Sequence, residues 1–208
     1  MKSNLQNARL YGIIDLGYVE ASNAARIVEQ MIEGGVDLIQ LRGKNKPINE
    51  LADLAADLHE LTAKSSTPLI VNDYAEIGNR VPVEGVHVGQ HDDSIVIARR
   101  KVARDILIGK STHSLEQARA AEREEADYIG FGPIFATPTK PDYAPIGLAD
   151  IRRVYAEVSL PIFCIGGINI DNLQGVIEAG AKRVVMVSAL LNAHSLVDYA
   201  RCATDMLA

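Results

Sequence analysis

The chain has 208 residues, 48% of them hydrophobic, which suits one domain with a full core. Its formal net charge of -6 and lack of any basic run argue against a nucleic-acid partner, so an anionic ligand must be held by local cations and backbone amides. Residues 1–9 are polar, no apolar stretch is long enough to span a bilayer, and the two cysteines, Cys164 and Cys202, lack metal-ligand spacing. These features predict a protein of the reduced cytoplasm with no membrane partner.

Apolar or β-branched runs alternate with helical periodicity along the chain. Residues 10–14 read as the first strand, followed by a helix over 22–33; a strand over 37–41 then precedes a helix over 48–63. Strands follow at 68–71, 85–88 and 106–108. Ser114 is placed to start a helix over 115–124. A strand at 128–131 and a helix over 148–156 come next. A strand at 161–165 leads to a helix over 170–178 with Asp171 near its start, and the last pair is a strand at 184–187 and a helix over 195–206. Eight strands alternating with helices predict a parallel sheet with right-handed crossovers, and eight is the number that closes a barrel. The expected fold is α/β, a single (β/α)8 TIM barrel over residues 1–208; an open doubly wound sheet usually has fewer strands at this length. A faint repeat supports reuse of one unit: residues 34–39, 124–129 and 179–184 each end a helix and begin a strand.

A barrel concentrates function at the C-terminal ends of its strands. Those ends supply Gln40, Arg42 and Lys44; Asn72 and Asp73; Gln90, His91 and Asp92; Lys110, Ser111 and His113; Thr137, Thr139 and Lys140; Gly166 and Gly167; and Ser188. The loop from Gly130 to Lys140 carries two hydroxyls and a lysine but no acid, which suits a phosphate. Gly166-Gly167, before a helix that starts near Asn169, suits a second anion site. Asp73 and Asp92 can hold a Mg2+ that keeps several waters and bridges phosphate oxygens, with Arg42, Lys44 and Lys140 neutralising the remaining charge: a clamp for a departing diphosphate. Simpler roles exist for single residues. Arg42 also suits a rim ion pair, and Asp73 and Asp92 also suit turns or caps. His87 reads as a barrel-interior histidine, His59 and His194 as surface residues, and Cys164 as a buried inert thiol.

The segments Gln40-Leu41-Arg42-Gly43-Lys44, Val71-Asn72-Asp73, His87 to Asp92, Ser111 to Ser114, Gly132 to Lys140 and Ile165 to Ile168 together resemble the thiamine phosphate synthase family, in its order and at its approximate spacing. The resemblance runs from Tyr11 to Leu190. It implies a (β/α)8 barrel that couples a hydroxymethylpyrimidine diphosphate to a thiazole phosphate, releasing pyrophosphate. By position it implies Asp73 and Asp92 as Mg2+ ligands. It implies Gln40, Leu41, Arg42, Gly43, Lys44, Asn72, Ser111 and Lys140 around the pyrimidine diphosphate, with Arg42, Lys44, Ser111 and Lys140 acting on the reaction. Thr137, Pro138, Thr139, Gly167, Val187 and Ser188 would hold the thiazole phosphate. Gly43 and His91 depart from the family's usual residues without removing a proposed ligand. The partners expected are small-molecule substrates, and both a monomer and a homo-oligomer are compatible with these expectations. A related thiazole tautomerase would use His113 to move a proton, and a non-catalytic phosphate-binding barrel is a further alternative. The diphosphate clamp favours the synthase.

Overall fold

The computed structural model describes residues 2–44, 46–139 and 143–208. Eight parallel strands pair in chain order and close: β1 (Leu10–Asp15), β2 (Leu38–Arg42), β3 (Leu69–Asn72), β4 (Gly85–Val88), β5 (Leu107–Thr112), β6 (Tyr128–Phe131), β7 (Ile162–Cys164) and β8 (Val184–Met186). Closure is made by β8 against β1, with Leu10 opposite Val184, Tyr11 opposite Val185 and Gly12 opposite Met186. The expected (β/α)8 barrel is thus the observed one. The strands are buried on both faces, so they read in the sequence as continuous apolar runs.

The outer layer comprises α2 (Ala24–Glu33), α3 (Ile48–Ser65), α4 (Ile95–Lys101), α5 (Leu115–Arg123), α6 (Ile151–Glu157), α7 (Ile170–Glu178), α8 (Ser188–Leu191) and α9 (Leu196–Leu207). Helix α2 shows why the periodicity is readable: Ala24, Ile27, Val28 and Met31 form one buried stripe at helical spacing. The sequence reading missed α1 (Lys2–Asn7), α4 and α8. Helix α4 buries only Ile95 and Ala98 while Val96 and Ile97 are exposed, so it carries no clean apolar stripe. Some boundaries also move. Strand β5 extends to Thr112 rather than stopping at residue 108, and the helix expected from residue 148 starts at Ile151. Asn169 caps α7, and Asp171 lies in its first turn as expected. His59 is not a free surface residue: it is half-buried and pairs with Glu84 at 3.3 Å.

Two apolar layers result. One lies between strands and helices. The other fills the barrel with Tyr11, Leu38, Ile70, Leu107, Tyr128 and Phe163, with Leu5 and Ala8 packed in the same cluster. Phe163 meets Tyr11 and Tyr128 edge to face, at centroid separations of 5.4 and 5.8 Å. The Tyr128 ring needs Gly109 on the neighbouring strand, because a Cβ there would lie 2.1 Å from Tyr128 Cζ. Among the described residues, no helix is long and apolar enough to cross a membrane.

The repeat at helix-to-strand junctions has a physical basis. Asp37 Oδ2 accepts from the amides of Arg9 (2.8 Å) and Leu10 (2.9 Å), pinning the start of β1. Asp127 Oδ2 accepts from the Ile108 amide (2.8 Å) and Arg99 Nη2 (2.7 Å), pinning β5. In the third copy Lys182 stands at this position, and its amide donates to the Tyr155 hydroxyl at 3.1 Å. Asp127→Ala would strand the buried Ile108 amide, while Arg99 keeps its bonds to the Glu125 and Ile106 carbonyls, so it is expected to cost about 1–3 kcal/mol of stability. Asp127→Asn, which keeps an acceptor, should cost less; urea unfolding of both variants checks this.

Candidate active site

Strand alternation decides which predicted residues face the cleft at the C-terminal rim. Gln40 and Arg42 lie two apart on β2 and both line it, while Leu41 between them packs in the outer apolar layer. Asn72 and Ser111 join from the ends of β3 and β5. Thr137, Thr139, Gly167, Val187 and Ser188 line the same cleft from the β6, β7 and β8 side. Gly43 backs onto α3, where a Cβ would lie 2.7 Å from Leu51 Cδ2. Pro138 is exposed and outside the lining. Lys140 lies outside the described residues.

The described cations at this rim are held by acids. Arg42 donates from Nη1 to Asp15 Oδ2, and Asp15 is almost fully buried. The other Asp15 oxygen accepts from the Gly17 amide at 2.9 Å, so both oxygens of the carboxylate are engaged. Lys44 Nζ lies 3.5 Å from Asp73 Oδ2 and is about half exposed. Asp73 follows the end of β3 in a left-handed turn (φ 68°), with its amide bonded to the His87 carbonyl at 2.8 Å. This turn brings its carboxyl against that of Asp92. Asp92 Oδ2 in turn accepts from the Gly89 amide at 2.8 Å. Burial first, then the adjoining Asp92, push the Asp73 carboxyl up from 3.8 to about 6, with Lys44 opposing. Lys110, one of the strand-end residues, is buried and donates to the Gly89 carbonyl at 2.8 Å. It therefore steadies the loop that carries Asp92.

Beneath the rim runs a buried polar chain that the sequence did not reveal. Gln40 Nε2 donates to the Tyr11 hydroxyl; Tyr11 and Tyr128 hydroxyls are 3.1 Å apart. His87 Nδ1 lies 3.2 Å from the Tyr128 hydroxyl and Nε2 lies 2.9 Å from Ser111 Oγ. His87 is thus a satisfied barrel-interior histidine, as read, and it also reaches a cleft residue. Burial raises both tyrosines above their ordinary value, so they stay protonated. Tyr11, Ile13 and Asp15 alternate along β1 and all line the cleft, a period-two signal that could have identified them.

On the opposite side, Gly166 (φ 101°) and Gly167 (φ 64°) take conformations that favour glycine, and the Gly167 amide donates to no other described residue. The first turn of α7 is not the open anion site expected. Asn169 and Asn172 cap it reciprocally, and the Ile170 amide donates to the Tyr199 hydroxyl at 3.0 Å. The glycine pair and the Thr137–Thr139 turn, rather than a helix end, face the cleft there.

The chain matches the thiamine monophosphate synthase family over residues 10–190. It belongs to that family. It is 42% identical over 194 residues to the thiamine-phosphate synthase of Chloroflexus aurantiacus, covering 93% of this chain and 89% of that protein. It is 40% identical over 193 residues to that of Halalkalibacterium halodurans, covering 92% of each. The solved thiamine phosphate pyrophosphorylase from Pyrococcus furiosus superposes with a TM-score of 0.88 at 31% identity, covering 99% of this chain and 96% of that one.

In this thiamine monophosphate synthase family member, the Asp73 carboxyl holds its proton more tightly folded than unfolded, where it would titrate near 3.8. The native state therefore binds more protons between those values, and the pair's contribution to stability falls as pH rises from about 4 through about 6. Asp92→Asn removes the like charge. In metal-free buffer it should raise the urea midpoint at pH 8 and change it far less at pH 4; an equal gain at both values would contradict the like-charge cause.

Proposed function

We infer that this protein couples a hydroxymethylpyrimidine diphosphate to a thiazole phosphate, giving thiamine phosphate and pyrophosphate. The observation that carries the reading is one cleft lined by two sets of polar groups suited to anions, Gln40, Arg42, Asn72 and Ser111 on one side and Thr137, Thr139, Gly167 and Ser188 on the other. On this reading the bond from the pyrimidine methylene to its diphosphate oxygen breaks, and the electron pair leaves with the diphosphate. The lone pair of the thiazole ring nitrogen then forms the new C–N bond. Arg42, Lys44, Ser111 and Lys140 stabilise the charge that develops on the leaving group. Gln40 and Asn72 orient the pyrimidine; Leu41 and Gly43 set the β2 turn behind them. Thr137 to Thr139, Gly167, Val187 and Ser188 hold the thiazole phosphate. A covalent route through a thiol is disfavoured, since burial pushes the Cys164 thiol up to about 12.

Asp73 and Asp92 fit a Mg2+ ion. They are hard oxygen donors, and their mutual repulsion, expressed as the raised Asp73 value, is what a cation would relieve. Among the described residues no group of three or more His, Cys, Asp or Glu side chains could hold a metal. The other coordination positions would thus fall to water and substrate oxygens, the usual arrangement for Mg2+ at phosphates. When bound there, Mg2+ would supply charge neutralisation for the departing diphosphate.

The deciding experiment mixes purified protein with both substrates, with and without Mg2+, and follows thiamine phosphate and pyrophosphate together. Mg2+-dependent formation of both products in equal amounts is expected; no product from folded protein would overturn the reading in favour of a tautomerase or a binding protein. Arg42→Ala and Asp92→Ala should each lower kcat/KM by about 100-fold or more. Asp92→Ala should also abolish the Mg2+ response while the protein stays folded, since its carboxylate contributes little to the apolar core.

A further inference from the structure

Tyr18 lies outside the cleft, in the β1–α2 loop, yet its hydroxyl is 3.0 Å from Thr139 Oγ1 in the β6–α6 loop. We propose that Tyr18 is a positioning residue that presents the Thr139 hydroxyl to the phosphate of the thiazole substrate; this rests on the synthase reading of the cleft. The turn that carries Tyr18 is rigidly specified. The Tyr18 and Val19 amides donate to the Asp15 carbonyl at 2.8 and 3.2 Å, and the Gly17 amide donates to the Asp15 carboxylate at 2.9 Å. Asp15 is itself buried and tied to Arg42. Tyr18 is therefore fixed to the barrel wall, and it anchors Thr139, which lies between β6 and α6 in neither strand nor helix. Further along the same loop, the Tyr143 ring lies against His113 with centroids 4.6 Å apart, a second attachment to the rim.

Hydrogen-bond direction gives the contact its consequence. Phosphate oxygens only accept, so a phosphate in the cleft requires Thr139 to donate its single hydroxyl proton to it. Thr139 Oγ1 must then accept from Tyr18, and the phenol, the more acidic of the two hydroxyls, is the better donor. A hydroxyl that accepts a bond becomes a stronger donor. Thr137 Oγ1 accepts from the Thr139 amide at 3.3 Å, so its own proton is likewise left for the cleft. The turn thus offers two hydroxyl protons to one anion, with Tyr18 setting the direction of the chain.

Tyr18→Phe tests this, because it removes one oxygen and keeps the ring of a residue that lines a surface hollow with Val19, Arg26 and Ile27. Thiazole-phosphate Kd by calorimetry, and its KM in the coupling assay, should both rise about three- to ten-fold. The KM for pyrimidine diphosphate should not follow. Thr139→Ala should also weaken thiazole-phosphate binding, and Tyr18→Phe should add nothing in that background. Unchanged binding in Tyr18→Phe, equal losses for both substrates, or additive losses with Thr139→Ala would each overturn the proposal. Wild-type protein that binds thiazole phosphate but forms no product would overturn the synthase reading alone and leave the Kd comparison to decide the role of Tyr18. Wild-type protein that does not bind thiazole phosphate would overturn both.

Discussion

The closure of β8 onto β1 is the constraint on which the site depends. Three residue pairs make that seam. It brings Asp15 at the end of β1, and Arg42 bonded to it, round to the same cleft as Val187 and Ser188, which follow β8. In an open sheet of the same strand order those residues would lie at opposite edges. The seam in turn depends on what fills the barrel. Tyr11, Tyr128 and Phe163 interlock edge to face, and Gly109 leaves the room that the Tyr128 ring takes. Packing below the rim and chemistry at the rim are therefore one problem, since Tyr11 belongs to both.

The chain is acidic overall, so cations at an anion site must resist collapse onto its many carboxylates. The two described rim cations solve this differently. Arg42 is held by a buried carboxylate whose second oxygen is already engaged by a backbone amide. Such a pair adds little net stability, because desolvation offsets its attraction, but it fixes the guanidinium in one place. Lys44 is more exposed and its contact with Asp73 is longer. A surface pair of this kind is worth about 0–1 kcal/mol, so a polyanion can draw the ammonium away at small cost. One cation is preorganised and the other is free to follow the charge.

Much of this was legible in the sequence, for identifiable reasons. Strands buried on both faces leave apolar runs, and helices such as α2 leave a 3.6-residue stripe, so the barrel could be counted out. Arg42, Asn72, Ser111, Thr137 and Gly167 were readable because each sits just past a strand whose end could be located. What failed to show were relations between distant residues. Nothing near Asp15 announces Arg42, and nothing near Tyr18 announces Thr139, 121 positions away. Lys110 and the first turn of α7 show a complementary limit. A cation or a helix start at the right place in the chain says nothing of its partner: Lys110 meets a backbone carbonyl, and the α7 turn is already capped by its own asparagines.

The chain from Gln40 to Ser111 also bears on what kind of catalysis the cleft can perform. A histidine nitrogen 2.9 Å from a serine hydroxyl has the spacing of a base and its nucleophile. The chain behind it allows the opposite direction. Gln40 donates from Nε2 to the Tyr11 hydroxyl, and the Tyr11 hydroxyl, the Tyr128 hydroxyl and His87 Nδ1 continue the chain; when protons run from Tyr11 through Tyr128, Nδ1 is an acceptor. A neutral imidazole that accepts at Nδ1 carries its proton on Nε2 and donates to Ser111 Oγ. In that state His87 cannot take the serine proton; it leaves that proton directed elsewhere, toward an anion in the cleft. A tyrosine kept neutral by burial stands behind His87. In that arrangement the side chains that have the spacing of a nucleophilic dyad form a relay that makes Ser111 a hydrogen-bond donor, the role the proposed synthase reading gives it.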